Sequence, residues 1–164
     1  MPNTEEKLSV SSDTMLMATV VGPRATIQSV RLVNVSAMLG SADPEAMKYV
    51  RNRRTSTFAR GSGNSLDVDI RFTIDIATSE ADKSEPPISI EAKYRLTYKV
   101  EDLATLDDEH LRAFTQVNGY FNAWPFWREL TTSMMARSQA GLFLLPTLRV
   151  QTTSEPGGEA KENS

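Results

Sequence analysis

Between Leu66 and Glu101 apolar side chains recur at every second position, and this period constrains the fold more than any other feature of the chain. In the first run Leu66, Val68, Ile70, Phe72, Ile74 and Ile76 share one face, while Asp67, Asp69, Arg71, Thr73 and Asp75 share the other. In the second run Ile88, Ile90, Ala92, Tyr94, Leu96, Tyr98 and Val100 alternate with Ser89, Glu91, Lys93, Arg95, Thr97, Lys99 and Glu101. Both read as long, half-buried strands. The polar connector from Thr78 to Pro87 ends in Pro86-Pro87, which suits a surface hairpin loop and an antiparallel pair. On the wet face the acids of the first strand can oppose Lys93, Arg95 and Lys99, which favours the pairing by roughly 0.2–1 kcal/mol per pair.

From Asp107 the period changes to about 3.6, with Leu111, Phe114, Val117, Phe121, Trp124, Trp127, Leu130 and Met134 on one stripe. Thr105 followed by Asp108 resembles a capping box, and the acids around it suit the positive end of a helix dipole. Asn122 to Pro125 reads as a second cap with Pro in the first turn, so a kink or break is expected there. The run then continues to about Gln139, about 24 Å at 1.5 Å per residue, and Gly141 is expected to end it. Leu142 to Val150 follows as an apolar extended segment interrupted by Pro146.

The remaining segments are less regular. Ala25 to Leu39 is rich in Ile, Val and Leu, but Val30 and Leu32 have one parity and Val33 and Val35 the other. That pattern suggests either a bulge or a strand buried on both faces. Asp43-Pro44-Glu45 can cap a short helical turn, and Arg53 to Ala59 can form a further strand before a turn at Arg60-Gly61-Ser62-Gly63-Asn64. The ends are polar. Residues 1–14 are expected to form a flexible N-terminus, 15–150 a single domain, and 151–164 a disordered tail, because QTTSEPGGEAKENS has no aromatic or large aliphatic residue to offset its ordering entropy.

Composition narrows the functional classes. The 164 residues include 18 basic and 21 acidic side chains, one histidine and no cysteine, for a net charge of −3. A thiolate nucleophile, a disulfide scaffold and a cysteine or histidine-pair metal site are thereby excluded. The charge balance argues against nucleic acid as a partner. No apolar run reaches the ~18 residues that span a bilayer, and the first fourteen residues lack a signal-peptide pattern, so a cytoplasmic protein with no membrane insertion is expected. Arg60 to Asn64 matches neither glycine-rich phosphate loop and reads as a plain turn. His110, beside Asp107, Asp108 and Glu109, has no nucleophile signature to serve and reads as a solvated histidine. Asp67, Asp69 and Asp75 alternate with Arg and Thr as on any wet sheet face, so no catalytic residue, cofactor or metal is expected.

Both tryptophans lie in the cluster Tyr120, Phe121, Trp124, Phe126 and Trp127. Trp124 to Trp127 cannot all point to one side, nor can Leu142, Phe143, Leu144 and Leu145 all face one sheet. Some of this surface must meet another subunit or a ligand, and an oligomer is expected.

Two long alternating strands joined by a polar loop, then a helix reading NAWPFWRELTTSMMAR from Asn122 to Arg137, then a Pro-containing apolar segment, resemble SecB and the SecB-like export chaperones. The resemblance covers about Thr26 to Val150. SecB has an Asn, an aromatic-Pro-aromatic, Arg-Glu, then a Ser and an Arg near the helix end; Asn122, Trp124, Pro125, Phe126, Arg128, Glu129, Ser133 and Arg137 follow that order. Trp124 is one residue closer to the Asn. The chain departs from the pattern after the helix, where Ser138-Gln139-Ala140-Gly141-Leu142 replaces Gly-Thr-Phe-Pro and no C-terminal helix follows. In this it resembles the divergent SecB-like proteins that include chaperones of antitoxins.

The resemblance implies an α+β protomer, a four-stranded antiparallel sheet packed against a long, kinked C-terminal helix, assembled as a homotetramer through its helices as a dimer of dimers. It implies an ATP-independent holdase for non-native polypeptides in protein export or, alternatively, a dedicated chaperone or adaptor for a toxin–antitoxin pair or another single partner. Phe121, Trp124, Phe126, Leu142, Phe143 and Leu145 are the expected peptide-binding residues, and Leu111, Phe114, Trp127 and Met134 the expected oligomer interface. Arg128 and Glu129 are expected to pair on the helix. Contact with the SecA motor would fall on Asp67, Asp69, Asp75 and Glu91, which Lys93, Arg95 and Lys99 offset.

Overall fold

The computed structural model describes residues 6–40, 49–79, 86–138 and 143–153. Strands β2 (Ala25–Leu39), β3 (Tyr49–Arg60), β4 (Ser65–Ala77) and β5 (Ile88–Val100) form one antiparallel sheet in the order β2-β5-β4-β3. The two runs of perfect alternation are the central strands β4 and β5, paired from Ser65↔Lys99 to Ile76↔Ile88. Their apolar face is fully covered: Leu66, Val68, Ile70, Phe72, Ile74, Ile76, Ile88, Ile90 and Leu96 have no exposed surface.

A helical arm crosses that face. Helix α2 (Asp108–Phe114) passes through a π-helical turn (Thr115–Gly119) into α3 (Tyr120–Arg137). The N-cap is Asp107, whose Oδ1 accepts from the His110 backbone N–H at 2.9 Å and also meets His110 Nδ1 at 2.6 Å. These bonds hold the Asp107 carboxyl below its usual range, and they occupy the lone histidine. Thr105 belongs instead to a short 3₁₀ turn, Leu103–Thr105, so the expected capping box starts two residues too early.

The interruption also differs from expectation. The helix runs through Pro125 without a break, and the irregular turn lies upstream. A π turn takes more residues than an α turn and so shifts the phase of everything after it. The stripe read from a constant 3.6 period therefore slips: Tyr120 is 7% exposed and Phe121 56%, the reverse of the expected arrangement. Gly119 closes the π turn where a β-carbon would come within 3.0 Å of Val68 Cγ1 and 3.1 Å of Ile70 Cδ1, so its missing side chain lets the arm rest on β4.

Phe72 is the hub of the core. The Trp127 ring stacks on it at 5.4 Å, and Tyr94, Tyr120 and Trp124 surround it at 5.7–6.3 Å. Leu111, Phe114 and Trp127, expected at a subunit interface, are 0%, 1% and 0% exposed within this single chain, because the arm packs them into the chain's own core, Phe114 against Tyr98 and Trp127 against Phe72. Met134 is half-buried against the same core.

The chain ends depart most from expectation. Residues 6–11 form β1 (Glu6–Ser11) and run into α1 (Ser12–Val21), capped by the Ser11 hydroxyl accepting from Thr14 N–H at 3.1 Å. Strand β6 (Leu148–Thr153) pairs with β1 in parallel, from Glu6↔Leu148 to Ser11↔Thr153. Gln151, Thr152 and Thr153 are thus strand, because backbone pairing with β1 replaces the apolar burial that their side chains lack. Helix α3 ends at Arg137, where Ser138 turns extended, before the Gly141 expected to end it. The turn at Asp43 to Glu45, residue Leu142 and the tail from residue 154 lie outside the described residues. The turn between β3 and β4 is as read: Gly61 N–H donates to Ser65 O at 2.8 Å, and Gly63 takes φ +63°, a left-handed conformation that favours glycine.

Candidate functional site: an uncovered apolar strip beside the long helix

Helix α3 covers β4 and β5 and stops short of β2. Register with β5 puts Ala25, Ile27, Val30, Leu32, Val35, Ala37 and Leu39 on the core side of the sheet, opposite Val100, Tyr98, Leu96, Tyr94, Ala92, Ile90 and Ile88. The mixed parity of this segment resolves into two register slips, one between Ile27 and Ser29 and one between Leu32 and Asn34. Each slip inserts a residue and returns the apolar set to one face. The bulge reading holds, and burial on both faces does not: Ile27 is 43% exposed, Leu32 46%, Val35 39% and Leu39 39%.

Two tyrosines of β5 join this strip to the helix. The Tyr94 hydroxyl donates to the Phe126 backbone carbonyl at 3.1 Å, and its ring lies 6.4 Å from the Phe126 ring. The Asn122 amide donates to the Tyr98 hydroxyl at 2.9 Å. Desolvation raises both tyrosine hydroxyls, Tyr94 well above its usual range with Glu129 adding to the effect and Tyr98 against the opposing bond from Asn122, so both stay neutral donors or acceptors at any physiological pH. Asn122, Phe126, Leu130 and Met134, four apart, form one row along the β2-facing flank of α3. Phe126 is 46% exposed. Phe121 and Pro125, also four apart, form the solvent-facing crest.

The result is an open, largely apolar trough with a floor of Ile27, Leu32, Val35 and Leu39 and a wall of Phe126, Leu130 and Met134, with Glu129 near its Tyr94 side. Beside it β2, an edge strand of 15 residues, presents a row of backbone N–H and C=O groups about 50 Å long that no strand among the described residues pairs. Apolar contacts with an unpaired strand edge fit an extended polypeptide with little demand on its sequence.

The expected peptide-binding residues divide. Phe126 stands at this trough, and Phe121 is exposed on the crest of the helix above it. Trp124, Phe143 and Leu145 are 4%, 9% and 2% exposed and form no part of an open surface. Trp124 is held inward because its indole N–H donates to the Pro146 carbonyl at 3.0 Å. Arg128 donates through Nε to the Leu145 carbonyl at 2.6 Å and makes no ion pair with Glu129. The β2 residues were missed because a strand alternation broken twice looks like no alternation; two slips, at Gln28 and Val33, are the signal that recovers it.

The outer face of the sheet is a closed ionic lattice. Asp69 accepts two bonds from Arg95, 2.7 and 2.8 Å, and one from Lys93 at 2.8 Å. Asp75 takes Arg53 and the Ser89 hydroxyl, and Asp67 takes the Thr97 hydroxyl. Arg95 and Lys93 bring the Asp69 carboxyl down to about 2 against the opposing cost of burial. The acids of this face are therefore largely spent on neighbouring strands.

A four-stranded antiparallel sheet under one long helix is the SecB-like fold. The Rv1957 SecB-like chaperone of Mycobacterium tuberculosis, solved in complex with a ChAD peptide from the Rv1956 HigA1 antitoxin, shares it with a TM-score of 0.69. The two chains are 16% identical, and the match covers 85% of this chain and 100% of that one. No family model matches the sequence, and no curated protein matches it. No helix among the described residues is long and apolar enough to cross a membrane.

Proposed function

We propose that this chain is a nucleotide-independent chaperone that holds extended, non-native polypeptides in the trough between β2 and α3. The observation that carries the reading is the strip Ile27, Leu32, Val35 and Leu39, which continues the core face of the sheet but is left 39–46% exposed. A folded monomer gains nothing from such exposure, and an unfolded client supplies both its apolar cover and its missing strand partner. Holding the unfolded form delays client folding by mass action. A dedicated client such as an antitoxin is the form supported by the neighbour's complex with an antitoxin peptide; service in export is the broader form. A SecA-like partner on the outer face has less support, since Asp67, Asp69 and Asp75 are already engaged there.

A homotetramer would bring some of the open strips to subunit contacts, so mass and binding are measured together. Light scattering is carried out on the protein alone, with a permanently unfolded model protein, and with the same protein folded. A mass near four protomers that rises only with the unfolded chain is the expected result. An assembly indifferent to unfolded chains overturns general holdase activity and leaves the single-partner form, which a panel of antitoxin-derived peptides then tests.

A further inference from the structure

On the opposite flank of α3 the chain's own C-terminal segment lies as an extended peptide would. Phe143 and Leu145 point inward and Leu144 is 56% exposed; farther along Leu148 is 9% exposed and Arg149 faces out. Residues 143–145 and 148–149 each alternate as a strand in a slot does, with a change of parity between them at Pro146–Thr147, and residues 143–147 have no regular structure. Two side chains of α3 hold the segment by its backbone: Trp124 Nε1 donates to the Pro146 carbonyl at 3.0 Å and Arg128 Nε to the Leu145 carbonyl at 2.6 Å. Residues 148–153 then add to β1 as a parallel strand outside the main sheet, finished by the Thr153 hydroxyl on the Val10 carbonyl at 3.3 Å.

The receiving side is also tied to the main sheet. Arg54 of β3 holds β1 in place through Glu6 Oε1 at 2.9 Å and the Lys7 carbonyl at 3.1 Å, and its guanidinium lies over the Tyr120 ring at 5.5 Å. Leu8 and Val10 of β1 belong to the same buried cluster as Trp124, Phe143, Leu145 and Leu148. Donors aimed at carbonyls and a strand edge read backbone, not side chains, so the slot accepts any extended chain with apolar residues at alternate positions.

We infer that this slot is a second polypeptide-binding site, kept filled by residues 143–153, and that an extended apolar client takes it by displacing this segment from α3 and β1. The inference rests on the chaperone reading above. It adds an exchange step: contacts made in cis at Trp124, Arg128 and β1 are replaced by the same contacts in trans. Peeling starts at Gln151, Thr152 and Thr153, which are exposed and paired with β1.

The cysteine-free sequence makes a locked form straightforward. Ser9 and Gln151 face each other in register and both are exposed, so a Ser9→Cys/Gln151→Cys variant can be oxidised to staple the segment onto β1 and reduced to free it. Affinity for a permanently unfolded, fluorescently labelled model protein is measured in both states, with hydrogen exchange followed at residues 148–153. A loss of tenfold or more on oxidation, reversed by reductant, together with faster exchange in reduced β6 when client is added, is expected. Equal binding in the two states, with β6 protection unchanged by client, overturns the exchange while leaving the β2 trough as the site. Binding in neither state of this variant, nor in the unmodified chain, is failure of the chaperone reading itself. If the double variant does not fold, the unmodified chain with a free peptide FLLPTLRVQTT as competitor decides: displacement of client supports the slot, and no competition at saturating peptide refutes it.

Discussion

The two edges of the main sheet are built from opposite chemistry. On β3 the core-side positions are Val50, Asn52, Arg54, Ser56, Phe58 and Arg60; on β2 they are Ala25, Ile27, Val30, Leu32, Val35, Ala37 and Leu39. The polar edge is the covered one. Arg54 reaches β1, and Arg60 donates to the carbonyls of Leu103 and Leu106, at 2.8 and 2.7 Å, and to Asp108 at 2.9 Å. The apolar edge is the open one. Arginine at the covered edge supplies donors for backbone that has left regular structure, whereas aliphatic residues at the open edge make no directional demand on what arrives. The contrast teaches that exposure of β2 is not a shortage of chain to cover it: the same molecule spends its ends on the edge that needed them less.

The sharpest way to break this comparison is to remove the covered edge's anchor. Arg60→Ala leaves the Leu106 carbonyl without its donor and detaches the start of the helical arm, a loss of about 2–3 kcal/mol in urea unfolding. Client affinity per folded molecule should stay within about twofold, because Arg60 touches no part of the trough. An affinity loss as large as the stability loss would mean that the two edges act as one unit.

The converse change is Leu32→Asp with Val35→Asp. Both sites are already open, so stability should move by only about 0.5 kcal/mol, while the affinity for an unfolded chain should drop about tenfold, near 1.4 kcal/mol. The mass is read alongside. A collapse of the oligomer with binding preserved would convert β2 from a client site into a subunit contact.

Phe126→Ala tests the wall alone. Its side chain gives up about half its surface on folding, and truncation should weaken client binding roughly fivefold, about 1 kcal/mol, by titration of a labelled unfolded protein. Trp127→Ala serves as the control in the core, destabilising the fold by about 4 kcal/mol through its stacking on Phe72. Equal effects of the two on binding at matched folded fraction would erase the distinction between wall and core.

How far these edges were legible in the sequence follows from the same physics. The central strands were readable because both neighbours and both faces are satisfied, so a period of two runs unbroken from Leu66 to Ile76 and from Ile88 to Val100. β2 was half readable: its apolar content was plain, but two bulges hid which side it shares. The helix was found and its inward stripe largely placed, with Phe121 put in the position that Tyr120 takes, since no single residue announces a π turn and Gly119 acts only through its fit against Val68 and Ile70. Trp124, Phe143 and Leu145 were read as groove residues on their aromatic and aliphatic character, which is equally the character of a core. The pairing of residues 6–11 with 148–153 carries almost no local signal, because it depends on contacts between opposite ends of the chain.

The outer face gives the smallest predicted effect, and one that separates stability from binding most cleanly. Asp69 is held at about 2, below the ordinary 3.8, first by its hydrogen bonds to Arg95 and then by Lys93. A depressed carboxyl stabilises the fold above its unfolded value and stops doing so as the pH falls towards its folded one. The stabilisation is thus complete above about pH 4 and fades between pH 4 and 2. With its partners partly in solvent, it should amount to about 1 kcal/mol. Urea titrations at pH 5 and pH 2.5 should therefore show a larger fall for the unmodified chain than for Asp69→Asn, while client affinity at pH 7 is the same for both. Parallel acid curves would show that the Asp69 lattice adds nothing, and a lower affinity in Asp69→Asn would bring the outer face into client binding and end the assignment of that role to the β2 edge alone.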